Sequence, residues 1–174
     1  MIVLARRLAA GRWLRFRAWR YLTQGPGNEA VRVHRGTALD LEDMLDDART
    51  HGAAYAARSI VIAPSPEQRF DAADRDTAIG IVMAELGLTN HPPIVVSHLT
   101  RRQGAARASW HVHLLVPEVD PVTRRVQDSA HLPVRAEQAA RRCELVLDHP
   151  LTCGRHNAWV YQRCRARGDH ALAA

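Results

Sequence analysis

The chain has 174 residues, 47% of them hydrophobic, which suits one domain with a core of its own and argues against general disorder. No apolar run approaches the ~18 residues of a membrane helix, and the three cysteines (Cys143, Cys153, Cys164) lack the C-x-x-C spacing of a zinc site and the even number of a disulfide framework. A reducing cytoplasmic setting is the expectation, and the 24 basic residues, all arginine, leave a net charge of +6.

The elements follow from periodicity and punctuation. Residues 2–8 read as a short strand or the start of a helix. Residues 12–23 read as an arginine-rich helix ended by Gly25-Pro26-Gly27. Val31-Arg32-Val33 is a strand before Arg35-Gly36-Thr37. A helix runs from Leu39 to about Ala57, with Asp40 as N-cap. Residues 59–63 form a strand stopped by Pro64 and Pro66, and 71–86 a helix closed by Gly87. Strands at 94–98 and 111–116 flank a loop at 99–109, and helices follow at about 134–147 and 155–167. Strands mixed with helices, without a long βαβ series, predict an α+β fold over 1–174, one domain with an antiparallel sheet packed with helices.

Charge is unevenly spread. Residues 1–20 carry six arginines and no acid, residues 21–97 six arginines and eleven acids, and residues 98–174 twelve arginines and seven acids. Basic ends around an acidic middle fit a nucleic-acid partner or a solvated basic surface equally well. An acid-free, arginine-rich start also matches a transit peptide. It is poor in serine, however, and Trp13, Phe16 and Trp19 are spaced as on one packed helix face, which favours a folded element.

Ile94-Val95-Val96-Ser97-His98 and Trp110-His111-Val112-His113-Leu114-Leu115-Val116 carry the chemistry. Side chains alternate along a strand, so His111 and His113 share a face, as do Ile94, Val96 and His98. Adjacent strands can then bring three imidazoles to one point, a divalent-metal site with open coordination positions. A phosphate is the expected substrate. For each histidine the bland alternative is a satisfied strand residue, and for Tyr21 a core aromatic.

With Arg20-Tyr21-Leu22-Thr23 near the start, Arg35-Gly36-Thr37, Ala63-Pro64-Ser65-Pro66-Glu67, Glu85-Leu86-Gly87-Leu88, Val96-Ser97-His98, His111-Val112-His113, Val116-Pro117-Glu118-Val119-Asp120-Pro121 and Gly154-Arg155-His156-Asn157 in order, the chain resembles the HUH endonucleases. Within them it is similar to the relaxases, the mobilisation nucleases of conjugative plasmids. That resemblance implies that His98, His111 and His113 hold a divalent metal, Mg2+ or Mn2+, at the scissile phosphate. It implies that Tyr21 attacks phosphorus to give a 5′-phosphotyrosine link and a free 3′-hydroxyl, which later rejoins the strand. Arg17 and Arg20 would favour the phenolate. Arg101, Arg102 and Arg107 would hold backbone phosphates, and Trp13, Trp19 or Trp110 would stack exposed bases. The implied substrate is single-stranded DNA at a plasmid transfer origin. Accessory relaxosome proteins and a type IV coupling protein are the implied partners.

The chain departs from that pattern in places. Thr100 stands where many relaxases carry an acid two residues after the first histidine, and Pro117 near a common asparagine. The acid that would polarise a ligand histidine is unidentified, with Glu118 and Asp120 as candidates. Other readings stay open. A non-catalytic DNA-binding accessory protein would keep the fold without turnover. A cupin is suggested by His111-x-His113-x4-Glu118, although the chain continues into helices. A two-histidine phosphoesterase is suggested by His98-Leu99-Thr100, although that family needs a second such tripeptide.

Overall fold

The computed structural model describes residues 1–11, 14–101 and 108–173, with side chains in the first helix from Arg17 onward. The elements are β1 (Ile2–Ala9), α1 (Leu14–Gln24), β2 (Ala30–Arg35), α2 (Ala38–Thr50), β3 (Tyr55–Ala63), α3 (Ala72–Glu85), β4 (Ile94–Thr100), β5 (Ser109–Pro117), α4 (Leu132–Val146) and α5 (Asn157–Ala166). The five strands form one sheet in the order β1-β3-β5-β4-β2, and every neighbouring pair is antiparallel. The expected α+β architecture is therefore the observed one.

Alternation gives the sheet two unlike faces. Val3, Ile60, Ile62, Val95, Val112, Leu114 and Val116 point to one side, where α3 and α4 cover them with Val82, Met83, Leu132, Ala136 and Ala139. Ala57, Ile94, Val96 and Leu115 point to the other, under Leu22 of α1 and Leu41 and Met44 of α2. These helices cover that second face only in part. Ile2 and Leu4 of edge strand β1 lie on it and are 47% and 62% exposed. The α5 helix packs its Val160 and Cys164 against Leu172 and Val134.

The first element resolves as a strand, paired in register with β3 from Ile2↔Ala63 to Leu8↔Ala57. Two details of the second helix differ from expectation. Its N-cap is Thr37, and Asp40 lies three residues in, where its carboxylate accepts from the Thr37 N–H and hydroxyl, both at 2.7 Å. It also ends at Thr50. Gly52 turns the chain with φ +62°, and Tyr55, Ala56 and Ala57 already belong to β3. The alanines of 53–57 suit a helix by propensity, but sheet pairing overrides it. In α3 the N-cap is Asp71, accepting from Ala73 and Asp74 N–H at 2.8 and 3.1 Å.

A buried charge cluster fastens the end of β5 to β3. Arg58 is fully buried and donates through Nε and an Nη to the two carboxylate oxygens of Glu118, at 3.1 and 3.0 Å. Arg7 adds a third contact to Glu118 at 3.2 Å while lying over the Tyr55 ring. A buried ion pair adds little net stability, but removing one partner strands the other. Replacing Glu118 by alanine is expected to cost roughly 3–5 kcal/mol, read as a lower urea midpoint. An unchanged midpoint would mean that Arg58 is solvated.

Candidate metal centre

The register of two strands assembles the site. On the α1 side of the sheet, His98 of β4 is the cross-strand partner of His111 on β5, and His113 faces Val96. The ring centroids lie 5.4 Å apart for His98–His111, 4.3 Å for His98–His113 and 4.8 Å for His111–His113. One ligating nitrogen from each lies within 4.8 Å of the others. His98 and His113 are buried and His111 is half-buried.

Each buried ring is prepared differently. The Nε2 of His98 lies 2.7 Å from the Leu22 carbonyl oxygen. A carbonyl only accepts, so Nε2 carries the proton and Nδ1 keeps its lone pair for a ligand. A backbone carbonyl thus does the orienting often done by a carboxylate. Among the described residues the buried Nε2 of His113 has no hydrogen-bond partner. Desolvation first, then the neighbouring His98 and His111 and the charge of Arg6, push the His113 imidazole down to about 3. It is therefore neutral, the protonation state that binds metal. An unsatisfied buried nitrogen beside two more imidazoles is the donor set of a borderline transition-metal ion, and the residues fit such an ion.

Tyr21 stands at the mouth of this cluster. Its ring presents an edge to His113 at 5.8 Å and to His98 at 6.3 Å between centroids, and the residue is 53% exposed. Leu22, the next residue, is buried in the core, so one helix position anchors α1 while its neighbour reaches the histidines. Arg17 joins Tyr21, Arg6 and Ser59 in lining a small cavity of about 200 Å³. Arg20 is exposed and lines neither this cavity nor the larger groove described below.

The remaining expected site residues do not gather at the histidines among the described residues. Arg101 is engaged with Glu29 at 3.4 Å, beyond the end of β4, and Arg102 and Arg107 lie outside the described residues, as does Trp13. Trp19 packs against the Leu22–Leu41 cluster. Trp110 alternates to the opposite face of the sheet from His111, where Arg32 lies 5.1 Å from its ring. Glu118 is committed to Arg58. Asp120 accepts from Val122 and Thr123 N–H at 2.7 and 2.9 Å, which closes a turn. Neither acid orients a histidine of the cluster. Thr100 instead donates to Asn28 at 2.9 Å, tying β4 to the turn after α1.

Arg6 is a site residue that the sequence did not reveal. It pairs with Ser59 across β1 and β3, shares the histidine face and has no carboxylate partner among the described residues. Strand alternation would have exposed it, had residues 2–8 read as a strand rather than an open choice. A groove of about 820 Å³ runs from Tyr21, His111 and His113 over β1 to the turn at 152–156. No family model matches the sequence, and no curated protein is similar to it.

The depressed His113 sets an acid limit. In the unfolded chain an imidazole titrates near ~6.5; here it takes up its proton only near 3. The unfolded state thus binds more protons between those values, and stability present above the upper one is lost as pH falls below it. Metal-free protein should lose up to about 1.4 kcal/mol per pH unit in that window from this group. His113→Gln should flatten that dependence in urea melts from pH 7 to 4, and an unchanged slope would show that His113 is solvated.

Proposed function

We propose that the chain is a metal-dependent DNA nicking and rejoining enzyme of the HUH relaxase type. The observation that carries this reading is Tyr21 in T-shaped contact with His98 and His113, two of three imidazoles that converge on the sheet. A tyrosine nucleophile needs an electrophile made more positive beside it, and phosphoryl transfer needs its developing charge neutralised. A divalent ion held by His98, His111 and His113 supplies that neutralisation when bound. Magnesium or manganese is the expectation, although three imidazoles and no carboxylate favour a borderline ion such as zinc over either.

In this reading the Tyr21 phenol loses its proton to solvent, in a cavity it shares with Arg17 and Arg6. The phenolate oxygen bonds to phosphorus as the bond to the 3′ oxygen breaks, and that oxygen takes up a proton as the free 3′-hydroxyl. The reverse attack by a 3′-hydroxyl restores the phosphodiester and frees Tyr21. The exposed position of Tyr21 suits a substrate as large as a DNA strand. A transfer-origin single strand is the proposed substrate, with relaxosome proteins and a coupling protein as proposed partners.

A second reading is an accessory DNA-binding protein with this fold and no turnover. It is favoured by Thr100, which ties down a turn where the resemblance would place an orienting acid. The deciding test incubates wild type and Tyr21→Phe with pooled transfer-origin oligonucleotides and Mn2+, then separates products on a denaturing gel. A metal-dependent adduct seen only with wild type is expected. Oligonucleotide binding without any adduct would favour the accessory protein, and an adduct retained in Tyr21→Phe would move the nucleophile elsewhere.

A further inference from the structure

Three of the five arginines expected to hold DNA, Arg101, Arg102 and Arg107, follow β4 in the sequence, yet the open space beside the histidines leads toward β1. The cross-strand row Leu4–Val61–His113–Val96 places Leu4 two strands from His113, roughly 10 Å at ordinary strand spacing. Arg6 is the next residue of β1 on that face, and Ile2 the one before it. Ile2 and Leu4 are exposed apolar side chains on one face at the edge of the sheet, with Arg6 next along that face. Across the groove stand Arg155 and His156.

That far wall is fixed. The Glu137 carboxylate of α4 accepts the His156 backbone N–H at 2.8 Å. Gly154 lies so close that an added Cβ would sit 2.2 Å from the Glu137 carboxyl carbon. Any side chain at 154 would displace that carboxylate from its hydrogen bond. Arg155 is exposed and, like Arg6, has no carboxylate partner among the described residues.

Resting on the nuclease reading of the histidine site, we infer that the DNA strand leaves that site across edge strand β1. In this track Arg6 and Arg155 hold consecutive stretches of backbone phosphate, and bases lie on Ile2 and Leu4. The groove is continuous with Tyr21 and the histidines, and its two arginines complement a polyanion. An apolar floor between charged rims suits the alternation of base and phosphate along a single strand. By contrast, Arg101 already shares its charge with Glu29.

Fluorescence anisotropy with a labelled dT15 tests the track, in a Tyr21→Phe background so that binding is read without covalent capture, in EDTA and again with Mn2+. The double change Arg6→Ala/Arg155→Ala should weaken binding at least about tenfold and reduce the salt slope by roughly 1.4, two phosphate contacts at ~0.7 each on single strands. Arg101→Ala should change affinity less than twofold. All variants should melt at the parent temperature, since the altered side chains make no buried ion pair. Unchanged binding in the double variant, an equal loss in Arg101→Ala, or no binding by the parent would overturn the track. Equally tight binding of a polyglutamate peptide would overturn it too, by marking a generic anion surface. If the double variant behaves as expected but wild type forms no adduct, the nuclease reading fails and the track stands as a binding site.

Discussion

The pairing of β4 with β5 in a single register is the constraint on which the rest depends. Because side chains alternate, a slip of one residue would turn His98 toward α3 while His111 and His113 stayed under α1. The same slip would put the Ser97 hydroxyl in Val96's place under Leu22, Leu41 and Met44, in an apolar layer with nothing to bond it. The core therefore enforces the register, and the register delivers the imidazoles. Val112 and Leu114 interleave with His111 and His113 and lock into the α3–α4 layer on the far side. The histidines are positioned by the packing of side chains on the opposite face of the sheet.

The second link is the hydrogen bond from His98 to the Leu22 carbonyl. It joins the sheet to α1 at the residue after Tyr21, so the tautomer of a ligand and the placement of the candidate nucleophile depend on one contact. Thr100, through Asn28, ties down the turn that follows the same helix: Asn28 in turn donates to the Gly25 carbonyl at 3.2 Å. An acid at position 100 would give up that tie. The departure from the relaxase pattern thus has a local physical logic, since the helix end is held by a hydroxyl and the histidine by a main-chain oxygen.

How much was legible in the sequence follows from which forces set each feature. The three histidines were readable because strand alternation is a local rule and their flanking valines and leucines mark both strands strongly. The helix boundary at Thr50 was not, because Ala53, Ala54, Ala56 and Ala57 carry no periodic signal, and pairing with β1 and β5 decides where the strand begins. Arg6 was hidden for a related reason. Its strand is an edge whose identity comes from β3, about fifty residues away. Trp110 stands on the face opposite the histidines, since adjacent positions on a strand face opposite ways. The orienting group of His98 could not be found by searching for acids, because it is a carbonyl that every residue possesses.

The two buried polar clusters show opposite solutions to one problem. Arg58, Arg7 and Glu118 are charged and neutralise one another inside the fold, so their desolvation is offset by mutual bonds. His98 and His113 are buried, and neither forms an ion pair with a carboxylate among the described residues. His113 avoids the cost of buried charge by remaining neutral, and it leaves a nitrogen without a partner. A core residue of the same volume would be more stable there, as Leu115 is two positions on along the same face. An arrangement that sacrifices stability in the metal-free state recovers it when a ligand satisfies the open nitrogen, since binding to the native state alone shifts the folding equilibrium. That asymmetry sets the histidine cluster apart from the Arg58–Glu118 pair, which is complete without any visitor.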